Sequence, residues 1–246
     1  MKAVILAAGK GTRLGSLTQD FPKPMVEIGK KKVLEWILEA VYKTGLSEFV
    51  VVTGYLAGSI ENYFGDGSRW GIRIEYTRQE NPNGTGGAVR LTRPVIGDTP
   101  FLLTWGDILM SHQNYAQIRE DFQRNPVAGT VGVNPVDDPW KGAAVYFDEN
   151  HRRIQKIVEK PPKGTSTSKW NNAGLFVFDP CIYAYLDRIQ PSVRGEYELP
   201  DALRLMMEED KTLRAVPLSG FWGEVGTPED VEQLETRLKK NELNLL

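Results

Sequence analysis

Apolar positions along the chain follow two different periods. Short β-branched or aliphatic runs recur at Val4-Ile5-Leu6, Phe49-Val50-Val51-Val52 and Phe101-Leu102-Leu103, each followed by a glycine-containing loop. Continuous apolar runs of this length predict strands buried on both faces, the pattern of a parallel sheet. Between the first two runs, Leu34, Ile37, Leu38 and Val41 share one face of a helical period, and Gly45 stops that helix. Strand, helix and strand then repeat through Ile74-Glu75-Tyr76, the segment after Gly84, and Phe101 onward. Such a series predicts an α/β fold with a doubly wound, mostly parallel sheet.

The second half is less regular. Residues 143–147 and 154–158 predict a hairpin around Asp148-Glu149-Asn150, residues 173–178 a further strand, and residues 199–207 a helix. Thr227-Pro228-Glu229-Asp230 predicts a helix start, with Thr as N-cap, Pro at the first helical position and acids in the first turn. That helix runs toward Lys240. The stretch 161–168 is rich in Pro, Ser, Thr and Gly and is expected to be a loop over a site rather than a domain linker. No internal repeat is present, and one domain with a substrate-binding second half is expected.

Charge narrows the partners. Thirty Lys and Arg against thirty-two Asp and Glu leave a formal charge of −2, so no global field draws nucleic acid or an anionic membrane. Any affinity for phosphate must therefore be local. The single cysteine, Cys181, excludes an internal disulfide and a Cys-based zinc site. Only His112 and His151 are available as histidines, which argues against a His-centred hydrolase and points any metal toward an oxygen-ligated hard cation such as Mg²⁺. No stretch has membrane-spanning length, and the cytoplasm is the expected compartment. Homo-oligomerisation stays open, since apolar helix faces could serve a core or an interface.

The first apolar run ends in Leu6-Ala7-Ala8-Gly9-Lys10-Gly11-Thr12-Arg13-Leu14. Glycines after a buried strand let backbone N–H groups approach a phosphate or a base. A dinucleotide fingerprint would need a third glycine where Leu14 stands, and a P-loop would need four residues between its glycines followed by Lys and Ser or Thr. Neither is met. What remains is a glycine turn with Lys10 and Arg13, followed by Lys23 stiffened between Pro22 and Pro24. These cations suit a polyphosphate.

This run, together with Pro22-Lys23-Pro24, resembles the signature of the sugar-phosphate nucleotidylyltransferases. The resemblance continues in order along nearly the whole chain. Gln79 precedes Gly84 by five residues, as in the family's base-reading loop. Trp105-Gly106-Asp107, Glu159-Lys160-Pro161, Asn172-Ala173-Gly174, Glu196-Tyr197-Glu198-Leu199-Pro200-Asp201 and Trp222-Gly223-Glu224-Val225-Gly226-Thr227 follow. Two departures stand out: Glu224 where the family usually has Asp, and Trp105 where Asn is common.

The resemblance implies a Rossmann-like, glycosyltransferase-A-like fold with a small β-rich sugar-binding insertion. It implies one domain over 1–246, a nucleotide half near 1–110 and a sugar half near 111–246, without the C-terminal β-helix of some relatives. The implied reaction joins a nucleoside triphosphate to a sugar 1-phosphate and releases pyrophosphate. Catalysis falls to Arg13, Lys23 and Asp107, with Mg²⁺ held by Asp107 and Glu224. Nucleotide binding falls to Leu6, Ala7, Ala8, Gly9, Gly11, Thr12, Arg13, Gln79, Gly84 and Thr85. Sugar binding falls to Gly142, Glu159, Lys160 and Asn172, with Glu196 and Arg194 as further candidates. The amide of Gln79 matches the N3–H and carbonyl edge of uracil or thymine, so UTP or dTTP is expected over CTP and GTP. The alternatives are a guanylyl- or cytidylyltransferase of the same family, and a non-catalytic regulatory relative.

Overall fold

Each apolar run read from the sequence lies within a strand of the computed structural model, which describes residues 1–18, 21–243 and 245–246. The strands begin with β1 (Ala3–Ala7), β2 (Glu27–Ile28), β3 (Lys31–Lys32), β4 (Glu48–Thr53), β5 (Arg73–Arg78), β6 (Phe101–Trp105) and β7 (Ile108–Met110). They continue with β8 (Gly129–Pro135), β9 (Ala143–Phe147), β10 (Ile154–Glu159), β11 (Trp170–Phe178), β12 (Leu213–Pro217) and β13 (Trp222–Glu224). The helices are α1 (Val33–Tyr42), α2 (Ala57–Phe64), α3 (Thr85–Arg90), α4 (Arg93–Ile96), α5 (Gln113–Arg124), α6 (Ile182–Leu186), α7 (Leu199–Glu208) and α8 (Pro228–Lys239). The chain divides into two compact units, one of Met1–Pro82, Thr104–Ala116 and Ser219–Leu246, the other of Asn83–Leu103 and Gln117–Leu218.

In the first unit β1 pairs in parallel with β4, and β4 with β5. Val4, Ile5, Val50, Val51 and Val52 are fully buried, as strands covered on both faces require. Helix α1 buries Val33, Leu34, Ile37, Leu38, Ala40 and Val41, the stripe read from the sequence together with its neighbours. Two glycines allow chain segments to close at the carboxyl ends of these strands. A Cβ on Gly54 would lie 2.8 Å from the Ala8 carbonyl oxygen, and one on Gly106 would lie 2.7 Å from that of Leu6. Helix α8 starts as expected: Thr227 Oγ1 accepts from Asp230 N, and the Asp230 carboxylate accepts from Thr227 N, a full capping box.

The second unit is built mainly from antiparallel pairs. β9 and β10 form the expected hairpin, and Asp148 Oδ1 accepts from Asn150 N in its turn. β11 pairs with β8, and with β9 at Asn171↔Ala144, while β12 runs parallel to β8. β8 contains two glycines and ends in a proline, yet it is flanked on both sides. Its glycines make room for side chains: a Cβ on Gly129 would lie 2.6 Å from Phe178, and one on Gly132 would lie 3.2 Å from Leu218. Phe101, Phe176, Phe178 and Tyr183 fill this unit's core with stacked and tilted rings. Among the described residues no helix is long and apolar enough to cross a membrane.

Candidate functional site

The loop after β1 presents an open face. Ala7 and Ala8 are buried, whereas Gly9, Lys10, Thr12 and Arg13 are exposed. Gly11 has φ of +66°, and a Cβ there would lie 2.9 Å from Cβ of Lys23. Glycine at 11 is thus required by backbone and packing alike. Gly9 differs, because a Cβ there would meet no heavy atom within 4 Å. Among the described residues nothing demands glycine at position 9, and the space before it is open.

Beside this loop four charged side chains converge. Lys23 starts a single 3₁₀ turn, Lys23–Met25, and is only 7% exposed. Its Nζ donates to Asp107 Oδ2 at 2.6 Å and to Glu224 Oε1 at 3.3 Å. Arg13 Nη2 donates to the same Glu224 oxygen at 2.6 Å. The two acids are brought together by β7 and β13, which pair antiparallel with Glu224 opposite Ile108, while Val225 N donates to Asp107 O at 2.8 Å. Burial alone would raise the Glu224 carboxyl, but the Lys23 and Arg13 charges outweigh it and hold the group below its ordinary range.

These acids fit a hard divalent cation. Mg²⁺ commonly takes one or two protein carboxylates and fills its shell with phosphate oxygens and water. Asp107 and Glu224 already reach one shared point, occupied by Lys23 Nζ. Asp107 Oδ1 and Glu224 Oε2 accept no bond among the described residues. Among the described residues no group of three or more His, Cys, Asp and Glu side chains is arranged to hold a metal, so a metal here would draw ligands from substrate.

Gln79 follows β5, and its backbone N–H donates to Thr53 O at 2.7 Å. At 7% exposure it is a buried amide, not an exposed polar strand end. Gly84 and Thr85 belong to the second unit, at the start of α3. Gly84 has φ of +97°, and a Cβ there would lie 2.6 Å from Tyr197 O. Thr85 Oγ1 accepts from Leu199 N at 3.1 Å, so its hydroxyl ties α3 to the start of α7. A Cβ on Gly87 would collide with the Asn83 side chain.

The β9–β10 hairpin gathers the expected sugar-side residues. Glu159 pairs with Ala143, and Lys160 N donates to Gly142 O at 2.7 Å. Lys160 adopts φ of +43°. Asn172 lies on neighbouring β11, where its Oδ1 accepts from Gly174 N at 3.0 Å, leaving its N–H₂ as the group available to a ligand. Glu159 is raised above its ordinary value, chiefly by burial and further by Glu198 and Asp201, against the pull of Lys160 and Arg194. Arg194 Nη2 bonds Glu198 at 2.6 Å and stands 3.8 Å from Glu159 and 3.9 Å from Glu196. The motif around Glu196 was visible in the sequence, but Glu198 as the arginine's main partner was not.

Sequence reasoning also missed the Asn134–Asn171 pair behind Gly142. Asn171 Nδ2 donates to Asn134 Oδ1 at 3.2 Å, and a Cβ on Gly142 would lie 2.2 Å from Asn171 Oδ1. Gly142 is therefore set by packing as well as by any ligand.

Comparison with known proteins adds a family. Residues 2–241 match the family model for nucleotidyl transferase. The UTP–glucose-1-phosphate uridylyltransferase AglF of Haloferax volcanii is 32% identical over 98% of this chain and 97% of its own length. The mannose-1-phosphate guanylyltransferase catalytic subunit beta of Dictyostelium discoideum is 35% identical over 94% of this chain and 62% of its own. Other curated relatives are likewise longer, the chain spanning 53% to 64% of their lengths. A solved UDP-glucose pyrophosphorylase in complex with UDP-glucose superposes with a TM-score of 0.88 over 98% of both chains at 24% identity, which shows the fold. That likeness bears out the α/β fold with a mostly parallel sheet expected from the sequence.

Proposed function

We propose that this chain, which belongs to the nucleotidyl transferase family, transfers a nucleotidyl group from UTP or dTTP to a sugar 1-phosphate and releases pyrophosphate. The observation that carries this reading is the convergence of Lys23, Asp107 and Glu224, with Arg13, beside an open glycine loop. An oxygen of the sugar 1-phosphate attacks the α-phosphorus in line. A new P–O bond forms as the bond to the β-phosphate oxygen breaks, and the electron pair leaves on pyrophosphate. Both reactants are polyanions, so the protein's tasks are positioning and charge neutralisation rather than proton transfer. This suits a site without a histidine.

Lys23 meets the α-phosphate, where negative charge develops, and Arg13 grips the leaving phosphates with its planar fork. The loop backbone from Leu6 to Thr12 cradles the nucleotide. Asp107 and Glu224 hold Mg²⁺, which neutralises phosphate charge and polarises the phosphoryl oxygen. Glu159 accepts from sugar hydroxyls, Lys160 meets the sugar phosphate, and Gly142 and Asn172 line the sugar pocket. Gln79 pairs with the pyrimidine edge, and Gly84 and Thr85 bind the nucleotide. The compartment is the cytoplasm, and the partners are the two substrates.

The name of the Dictyostelium relative favours a guanylyl reading instead. The Gly84-Thr85-Gly86-Gly87 run does not support it, because Tyr197, Ile189 and Asn83 already account for its glycines by packing. The deciding experiment is a matrix of five nucleoside triphosphates against a panel of sugar 1-phosphates, read by pyrophosphate release. UTP or dTTP should turn over with at least one sugar, stop with EDTA and resume with Mg²⁺. Asp107→Asn should lose nearly all turnover while remaining folded. Preference for GTP would overturn the nucleotide assignment, and EDTA-resistant turnover would overturn the metal.

A further inference from the structure

The two carboxylates assigned to Mg²⁺ are already neutralised by the chain's own cations. Lys23 Nζ lies 2.6 Å from Asp107 Oδ2 and 3.3 Å from Glu224 Oε1, so one ammonium spans the two carboxylates that would hold a divalent ion. Arg13 adds a second positive charge to the same Glu224 oxygen at 2.6 Å. Two acids and two cations cancel. The lysine is not a loose surface side chain: it is 7% exposed, and Gly11 packs so closely that an added Cβ would lie 2.9 Å from Cβ of Lys23.

A metal ion arriving alone thus meets two carboxylates that are each already paired with a cation, and an ammonium bound to both. Among the described residues no group of three or more His, Cys, Asp and Glu side chains is arranged to hold a metal, and Asp230, the acid near Glu224, already accepts from the Gly226 and Thr227 N–H groups. A nucleotide changes this, because its phosphates offer the lysine and the arginine new anionic partners and offer the metal new oxygens. We propose that Lys23 is a stand-in cation, bridging Asp107 and Glu224 in the free protein, so that a divalent ion enters this pair only together with the nucleotide that draws Lys23 away. The inference rests on the metal and nucleotide roles given above. It makes Lys23 a control on the order of binding as well as a contact to the α-phosphate.

The test measures Mn²⁺ binding by electron paramagnetic resonance on the full chain, with no sugar and no turnover. Without nucleotide the wild type should bind Mn²⁺ weakly, and added UTP should create one protein-dependent Mn²⁺ site. Lys23→Met, with a side chain of similar length and no charge, should bind Mn²⁺ without nucleotide at least tenfold more tightly than the wild type. Adding Asp107→Asn to that variant should remove the gain. Lys23→Arg, which keeps the charge, should stay weak. Should Lys23→Met prove too unstable, Arg13→Met at its exposed position should still tighten nucleotide-free Mn²⁺ binding, by a smaller factor.

Equal or weaker Mn²⁺ binding by these neutral variants would overturn the proposal, as would a wild type that binds Mn²⁺ equally well with and without UTP. Failure of every triphosphate and sugar pair to turn over would count against the proposed reaction instead. It would leave the metal titration standing.

Discussion

Two alanine substitutions two residues apart should have opposite effects. At Gly11 a methyl group meets φ of +66° and would lie 2.9 Å from Cβ of a buried lysine. Left-handed backbone costs a non-glycine residue about 1–2 kcal/mol, and overpacking costs about 1–3 kcal/mol where neighbours cannot yield. Allowing for partial relaxation, Gly11→Ala should lose about 2–4 kcal/mol. For a chain of this size that lowers the melting temperature by about 4–16 °C. At Gly9 no heavy atom lies within 4 Å of the added methyl, and φ is outside the left-handed region. Gly9→Ala should therefore keep the melting temperature or raise it slightly, since alanine restricts the unfolded chain. Its kcat/KM should nonetheless fall at least tenfold, because a methyl would stand where the nucleotide approaches. Calorimetry and pyrophosphate release on both variants decide the matter. A fully active Gly9→Ala would show that the open face is not used, and an unchanged melting temperature in Gly11→Ala would refute the packing argument.

Gln79→Ala should narrow the UTP-to-CTP ratio of kcat/KM by about tenfold to a hundredfold, the worth of a buried hydrogen-bonded pair on the order of 1–3 kcal/mol; an unchanged ratio would remove Gln79 from the site. Glu159→Gln should stabilise the protein at neutral pH while weakening sugar binding. Burial raises the Glu159 carboxyl above its ordinary 4.5, so its charged form costs stability above the raised value. That cost fades as pH falls from the raised value to the ordinary one and is gone below it, where folded and unfolded chains both hold the proton. The melting-temperature gain of Glu159→Gln should accordingly vanish in acid, and a gain that persisted there would refute the burial argument.

How far the sequence reached depended on whether a residue's role was local. Buried β-branched runs, the α1 stripe and the Thr227 cap are decided by neighbours within one turn or one strand, and each was legible. β8 was not, because two glycines and a terminal proline interrupt its apolar pattern. Phe178 and Leu218 make those glycines necessary, and both are distant in the chain. The β7–β13 ribbon escaped for a similar reason: two three-residue strands far apart in sequence carry no period of their own. That ribbon is what brings Asp107 beside Glu224. Motif resemblance named both acids, but it could not say that Lys23 and Arg13 would be bonded to them.

Departures from local rules separate structural from functional positions. Of the described non-glycine residues with positive φ, Asp210 and Asn241 sit just past the C-caps of α7 and α8, where left-handed backbone ends helices. Arg152 lies in the β9–β10 turn, and Leu56 caps the start of α2. Lys160 has no such excuse: it follows a strand, in neither a hairpin turn nor a helix cap, at φ of +43°. The residue before it, Glu159, is an acid whose charged form is disfavoured by burial. Gly9 keeps a glycine that no neighbour requires. Strain, a half-buried acid with a disfavoured charge and an unexplained glycine are what folding alone would discard. Two of them fall on the proposed sugar-side pair and the third on the proposed nucleotide loop, the same positions that the motifs single out.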